Sequence, residues 1–237
     1  MVSNKPEKKR KLVLVGDSAF AEIAHEYFDC FSDYQVVAFA VERAFLRRDE
    51  LRGLPVVAFE DMPGIYPMAS HEVHVAVVYT QLNRLRARLV QQVSAMGYSL
   101  ASFLSPAAFI APSARIGRHC FIFENNVVQS FVSIGDNVVL WSGNHIGHHS
   151  IIEDNVFISS HVALSGFCRV GKHSFLGVNV AVGNNLTIAT DNWIGQGVAV
   201  SRDTEPGQMF RASEQEAAKV GAKRFFKIKD DEVSNPV

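Results

Sequence analysis

Residues 110–157 read IAPSAR IGRHCF IFENNV VQSFVS IGDNVV LWSGNH IGHHSI IEDNVF, eight consecutive six-residue units that each begin with an aliphatic side chain. The same spacing runs on without a gap to Val200, through Ile158, Leu164, Val170, Leu176, Val182, Ile188 and Ile194. The position after the aliphatic is often glycine (Gly117, Gly135, Gly147, Gly171, Gly177, Gly183, Gly195), and the fourth beyond it is small or short-branched (Ala114, Cys120, Val132, Val138, Ser150, Val156). A period of six that no helix shares predicts a β-solenoid. Each unit supplies one short strand and a bend, and three units close a triangular coil of eighteen residues, with the aliphatic inside and the small residue in the corner beside it. Glycine or asparagine is expected to supply the bend geometry.

The front of the chain has a different rhythm. Leu12–Val15, Gln35–Val41, Val56–Phe59 and Val73–Tyr79 read as buried strands, and Ala19–Phe31 and Leu82–Met96 as helices, the second ended by Gly97. Alternation of this kind predicts a small parallel, Rossmann-like α/β sheet over 11–104, preceded by a basic tail (1–10) and joined to the solenoid (105–205) at Ser105-Pro106. The remainder, 206–237, reads as a short helix over Ser213–Val220, with Ser213 as cap and Glu216 in the capping-box position, and then a β-like Arg224–Ile228.

Several classes of function are excluded or disfavoured. The 237 residues carry 23 Lys+Arg against 24 Asp+Glu, so charge gives no general attraction to nucleic acid. No apolar run is long enough to span a bilayer. The N-terminal stretch lacks the apolar core of a secretory signal. Three cysteines (Cys30, Cys120, Cys168) suit a reducing compartment, which makes the cytoplasm the expected location. G-x-G-x-x-G is not met at Gly16-Asp17-Ser18-Ala19-Phe20-Ala21, so a dinucleotide is disfavoured.

Parallel sheets bind ligands beyond the carboxyl ends of their strands. That rule singles out Gly16, Asp17 and Ser18 in one loop and Thr80, Asn83 and Arg84 in another, with plain turn chemistry as the competing reading. A lone His148 in this pattern is either a surface-turn histidine or a base. A single-chain zinc site would need imidazoles in one column, and only His119 and His173 share one, three coils apart. No metal is therefore expected within one chain, and an intersubunit zinc site stays open.

A small Rossmann-like domain followed by an uninterrupted hexapeptide prism resembles the bacterial sugar acyltransferases typified by the sialic acid O-acetyltransferases and the bacillosamine and perosamine N-acetyltransferases. The resemblance covers Leu12 to about Asp203 and implies left-handed coiling and a homotrimer. It implies acetyl-CoA as cosubstrate in a groove between subunits, held by main chain near Gly166, Val178 and Gln196. A nucleotide-linked sugar would lie on the front domain. In Gly147-His148-His149-Ser150 it places His148 on the position of the general base, with His149 where the family carries an acidic residue. Glu153 and Asp154 are alternative partners for the base. Trp141 and Phe157 stand where the family has Asn and His, and Arg211-Ala212-Ser213-Glu214 replaces its Gly-Asn-Pro-Ala-Lys tail. Trp141 is expected to shape the acceptor pocket or the trimer seam, with packing alone as the alternative. The function implied is N-acetylation of a nucleotide-linked amino-deoxy sugar. O-acetylation of a sugar hydroxyl, a γ-carbonic-anhydrase-like zinc hydratase and a non-enzymatic trimeric scaffold are the competitors.

Overall fold

The computed structural model describes residues 7–213 and 217–228. Its second part is a left-handed parallel β-helix. Two-residue strands pair in register with those eighteen positions away, as in Phe121↔Val139 and Ile122↔Leu140. Three sheets of seven, six and five strands form the faces, running from Phe103–Leu104 to Met209–Phe210 on the first face. The aliphatic of each unit from Ile122 to Val200 is buried in one continuous core with Cys120, Val132, Val138, Val156 and Cys168.

The bend differs from the sequence expectation in its placement. Positive φ falls on the third residue after the aliphatic, near +60° at Asn125, Asn137, Asn155, Asn179 and Asn185, and also at His119, Phe131, His149, His161, Phe167, His173 and Asp191. Asparagine tolerates this region by local hydrogen bonding, as expected. Glycine directly after the aliphatic has another cause. A Cβ on Gly117 would lie 2.5 Å from the Gly135 carbonyl, and one on Gly147 2.4 Å from the Ser165 carbonyl carbon. Adjacent coils approach too closely there for any side chain.

The prism has three corners. The docking corner carries residues such as 135–137 and 153–155, the cleft corner 141–143 and 159–161, and the outer corner 129–131, 147–149 and 165–167.

The front domain is a six-stranded sheet in the order β3-β4-β2-β1-β5-β6. Its strands are β1 (Arg10–Val15), β2 (Tyr34–Val41), β3 (Glu50–Leu51), β4 (Leu54–Ala58), β5 (His71–Val75) and β6 (Ser99–Leu100). All pairs are parallel except β3 with β4. Helices α1 (Ala19–Phe31), α2 (Met62–Ile65) and α3 (Arg84–Ala95) complete it. β5 ends at Val75, short of the expected Tyr79, which releases Ala76–Tyr79 to form the strand-end crevice. At the tail, Glu214–Glu216 lie outside the described residues, and Ala217–Val220 is not helical. Arg224 and Phe225, expected in a strand, belong instead to helix α4 (Ala222–Phe225). An isolated strand has no ladder partner there, whereas Phe225 and Phe226 N–H reach the Gly221 and Ala222 carbonyls at 3.0 and 2.9 Å.

The front domain sits on one face of the prism, and aromatic rings make the joint. Phe103, Phe121, Phe157, Phe175 and Trp193 stand at eighteen-residue multiples on that face. Phe20 meets Phe121 and Trp141 at 5.5 Å, Phe28 meets Phe103 at 5.4 Å, and Tyr79 meets Phe175 at 4.4 Å between ring centres. Buried rings of this kind each remove a large apolar area from water and favour edge or offset contacts.

Candidate active site

A first cavity, of about 300 Å³, opens at the carboxyl ends of β1, β2 and β5. Gly16, Asp17, Ser18 and Thr80 line it, together with Phe45 and Leu89. Gly16 adopts φ +123°, and a Cβ there would lie 2.8 Å from the Ala76 carbonyl oxygen. Only glycine lets the β1 loop pass this close to the end of β5, which keeps the crevice open. Arg48 lies 3.5 Å from the Asp17 carboxylate at the rim.

Asn83, from the same loop as Thr80, and Arg84, the first residue of α3, turn toward the prism. Asn83 is buried with φ +65°, and its amide donates to the carbonyls of His173 and Ser174, both at 3.3 Å. Arg84 pairs with Asp191 at 2.5 Å. Arg86, two residues on, is fully buried, and donates to the Asn137 side chain (3.0 Å), the Asn137 carbonyl (3.1 Å) and the Val77 carbonyl (3.3 Å). Burial lowers this guanidinium toward about 9, so it remains charged at neutral pH. Next to it His119 receives the Val75 N–H on Nε2 (2.8 Å) and contacts the Asn137 oxygen through Nδ1 (2.9 Å). That pattern fixes the neutral Nδ1–H tautomer. His74 stacks on His119 at 4.3 Å, and burial pushes its imidazole down to about 4. This network locks the docking corner to the α/β sheet, and nothing in the sequence pattern marked Arg86 or His74 as its members.

At the cleft corner a second cavity, of about 440 Å³, is lined by Tyr79, Val178, Trp193, Gln196 and Arg211. A smaller one of about 220 Å³ adjoins it, with Trp141, Phe157, Tyr79 and Val178 in its wall. Trp141 thus faces the cleft on one edge and packs on Phe123 at 4.3 Å on the other. Val178 and Gln196 are exposed here, whereas Gly166 lies on the outer corner of the same chain. The chain by itself does not bring the three together. Gly166 N–H already donates to the Asn184 side chain at 3.1 Å, and its carbonyl receives Asn185 N–H at 3.0 Å.

His148 and His149 stand exposed on the outer corner, the one the front domain leaves uncovered. The His148 backbone N–H donates to Gln129 Oε1 at 2.9 Å, and its Nδ1 lies 3.1 Å from His149 Nδ1. Gly166 underlies the ring: a Cβ there would sit 2.7 Å from His148 Cε1 and 2.8 Å from Nε2. His149 is sandwiched between Phe131 and Phe167, with ring centres at 4.7 and 4.8 Å. Those two phenylalanines lie eighteen residues either side of His149, a signal the repeat already contained. Glu153 and Asp154 are on the docking corner, where Glu153 pairs with Arg169 and Asp154 with Lys172. They do not reach the imidazoles.

Cys120 and Cys168 are buried in the prism, and burial pushes the Cys120 thiol up to about 12. A thiol so far from ionising at neutral pH is a poor acyl carrier. Among the described residues no three His, Cys, Asp or Glu side chains converge as a metal site. No helix among them is long and apolar enough to cross a membrane.

Residues 113–148 and 131–166 match the bacterial transferase hexapeptide (six repeats) family. No curated protein matches the chain by sequence. Among solved structures, the acetyltransferase domain of PglB from Neisseria gonorrhoeae FA1090 is 24% identical, covering 85% of this chain and 96% of its own, with a TM-score of 0.77. PerB from Caulobacter crescentus, solved with CoA and GDP-perosamine, is 25% identical over 85% of this chain and 91% of its own, with a TM-score of 0.73. WeeI from Acinetobacter baumannii AYE is 18% identical, over 85% and 96%, with a TM-score of 0.65. These likenesses take in both the α/β domain and the prism, and they agree with the family resemblance and fold read from the sequence.

Proposed function

We propose that the protein is an acetyl-CoA-dependent N-acetyltransferase acting on the amino group of a nucleotide-linked amino-deoxy sugar, with His148 as general base. The observation that carries this reading is an exposed imidazole, seated over Gly166 on the outer corner, in a two-domain frame shared with a protein solved with CoA and GDP-perosamine.

The front domain covers one prism face and the two corners flanking it, so His148 points away from its own chain's cavities. A second copy, in a homotrimer, supplies the cleft that His148 completes. Acetyl-CoA fits the cleft corner, where Arg211 offers a cation and Val178 and Gln196 an exposed edge. The strand-end cavity at Gly16, Asp17, Ser18 and Thr80 takes the nucleotide portion of the acceptor sugar.

The chemistry follows from the residues. The sugar amine attacks the thioester carbonyl while His148 Nε2 removes a proton from the attacking nitrogen. A C–N bond forms, the C–S bond breaks with its electron pair on sulfur, and the proton on His148 passes to the thiolate to give CoA. An imidazole is suited to both transfers near neutral pH. Holding both substrates with their reacting groups beside His148 lowers the entropic cost of their encounter.

The test is acetyl-CoA consumption against nucleotide-linked amino sugars and their hydroxyl analogues. Turnover with the amines, lost in His148→Ala while the trimer persists, supports the reading. Unchanged turnover in that variant removes His148 from the mechanism, and turnover with hydroxyl analogues alone makes the protein an O-acetyltransferase.

A further inference from the structure

We infer that His149 is the positioning residue for His148: a neutral imidazole that accepts the His148 Nδ1–H and thereby holds the Nε2 lone pair ready for the substrate proton. This rests on the reading of His148 as base and says how that base is oriented.

The two Nδ1 atoms are 3.1 Å apart and the rings are nearly perpendicular, at 87°. One nitrogen donates and the other accepts. A base working through Nε2 has its proton on Nδ1, so His148 donates and His149 accepts, keeping its own proton on Nε2. The opposite arrangement would put the His148 proton on Nε2 and leave no lone pair for the amine. When His148 carries the substrate proton both of its nitrogens are donors. An acceptor at Nδ1 is then required, and the bond becomes charge-assisted. His149 therefore favours the protonated intermediate over the resting state.

His149 is built to stay in place. It lies in the left-handed region at φ +59°, stacked at 15° on Phe167 and at 33° on Phe131. His148 is fixed by Gln129 at its backbone, by Gly166 beneath and by the Phe167 edge at 5.1 Å. The groups packed against the pair from neighbouring coils (Gln129, Phe131, Gly166, Phe167) carry no charge, and the carboxylates of Glu153 and Asp154 are paired on another corner.

The fold provides its own control, because Phe131 and Phe167 already occupy the equivalent left-handed position one coil away on each side. His149→Phe preserves ring, stack and backbone but cannot accept a hydrogen bond. It is expected to lower kcat about 10- to 100-fold, by analogy with the loss of the partner that orients a metal-bound histidine, with KM and melting temperature unchanged. His149→Asp restores an acceptor: kcat recovers most of that loss, and the acid limb of kcat/KM moves to higher pH because a carboxylate favours the imidazolium. Wild-type kcat in His149→Phe, or an Asp variant no better than the Phe variant, would overturn the assignment. A readout independent of turnover is the imidazole nitrogen spectrum of the ¹⁵N-histidine-labelled protein at pH 8. His148 is expected as the Nδ1–H tautomer and His149 as Nε2–H; an Nε2–H His148 refutes the inference outright. Those tautomers in a protein without turnover on any acyl acceptor would instead fail the enzymatic reading and leave the pair's geometry standing.

Discussion

Acidification between pH 6.5 and 4 should destabilise the protein through the imidazoles buried where the α/β domain meets the prism. His74 is 1% exposed, stacked on His119, close to the Arg86 charge, and held down to about 4 from an ordinary 6.5. In the unfolded chain it binds a proton at pH 6.5, and in the folded chain only near pH 4. The unfolded state thus holds more protons throughout this window, and stability falls as pH falls through it. At about 1.4 kcal/mol per unit of pKa, the full effect of His74 is roughly 3 kcal/mol, and between pH 7.5 and 4.5 about 2.5 kcal/mol. Burial holds His119 and His173 down as well, so they act with the same sign. Carboxylates whose folded values are lowered, such as Glu42 beside Arg88, keep their contribution until lower pH, below their ordinary range near 4.5. The two groups therefore separate along the pH axis. Denaturant unfolding at fixed protein concentration across pH 4.5–7.5, for wild type and His74→Phe, reads the effect. The variant loses the Nδ1–H bond to Ala101 (2.9 Å) and should be less stable by about 1–2 kcal/mol at pH 7.5. Its pH slope should be shallower by about 2.5 kcal/mol over the window. A flat wild-type profile, or a variant with the full slope, would refute the reasoning.

Gly166→Ala places a methyl 2.7 Å from the His148 ring at a backbone conformation any residue adopts, so the variant should fold normally and lose about 100-fold in kcat, read by acetyl-CoA consumption. Arg84→Ala removes a half-exposed ion pair with Asp191 and should change stability by under about 1 kcal/mol in denaturant unfolding, with KM for the nucleotide sugar unchanged. A raised KM would return Arg84 to the substrate. Leu164→Ala empties a fully buried rung of the prism and should cost about 2–5 kcal/mol by the same unfolding assay. Phe131→Asn exchanges an exposed ring at φ +63° for the residue that this position tolerates best, so the isolated chain should not lose stability while the proposed trimer should dissociate at higher concentration in sedimentation.

The prism was legible because its signal is one-dimensional: a register of eighteen follows from counting, and Phe121↔Val139 or Val127↔His145 could be written from residue numbers alone. The exposed corner position of His148 was legible from the same count. What orients it was not, because Gln129, Gly166 and Phe167 reach it from adjacent coils. Counting by eighteen from His149 would have found Phe131 and Phe167. Arg86 was invisible for a different reason. On α3 it reads as one of three arginines on a polar helix (Arg84, Arg86, Arg88), and only the docking of two domains decides which of them is buried. The bend glycines misled because one residue type serves two needs, and the repeat shows where glycine recurs but not why.

The left-handed position of each coil ties these observations together. Asparagine fits it at little cost, while a bulky side chain there is strained by something on the order of 1 kcal/mol or more. The chain nonetheless places His119, Phe131, His149, His161, Phe167, His173 and Asp191 in it. In four of them the departure coincides with a contact that asparagine would not make in the same way. His119 receives the Val75 N–H from the α/β sheet, Asp191 pairs with Arg84, and His149 and Phe167 form the stacked wall beside His148. The docking-corner substitutions bind the front domain of the same chain, and the outer-corner substitutions face away from it. Phe131, 61% exposed, completes the wall on a corner that its own front domain does not cover. The strain is borne there without burial in return from this chain, which supports the proposed placement of a second copy on that corner, with its cleft brought to His148.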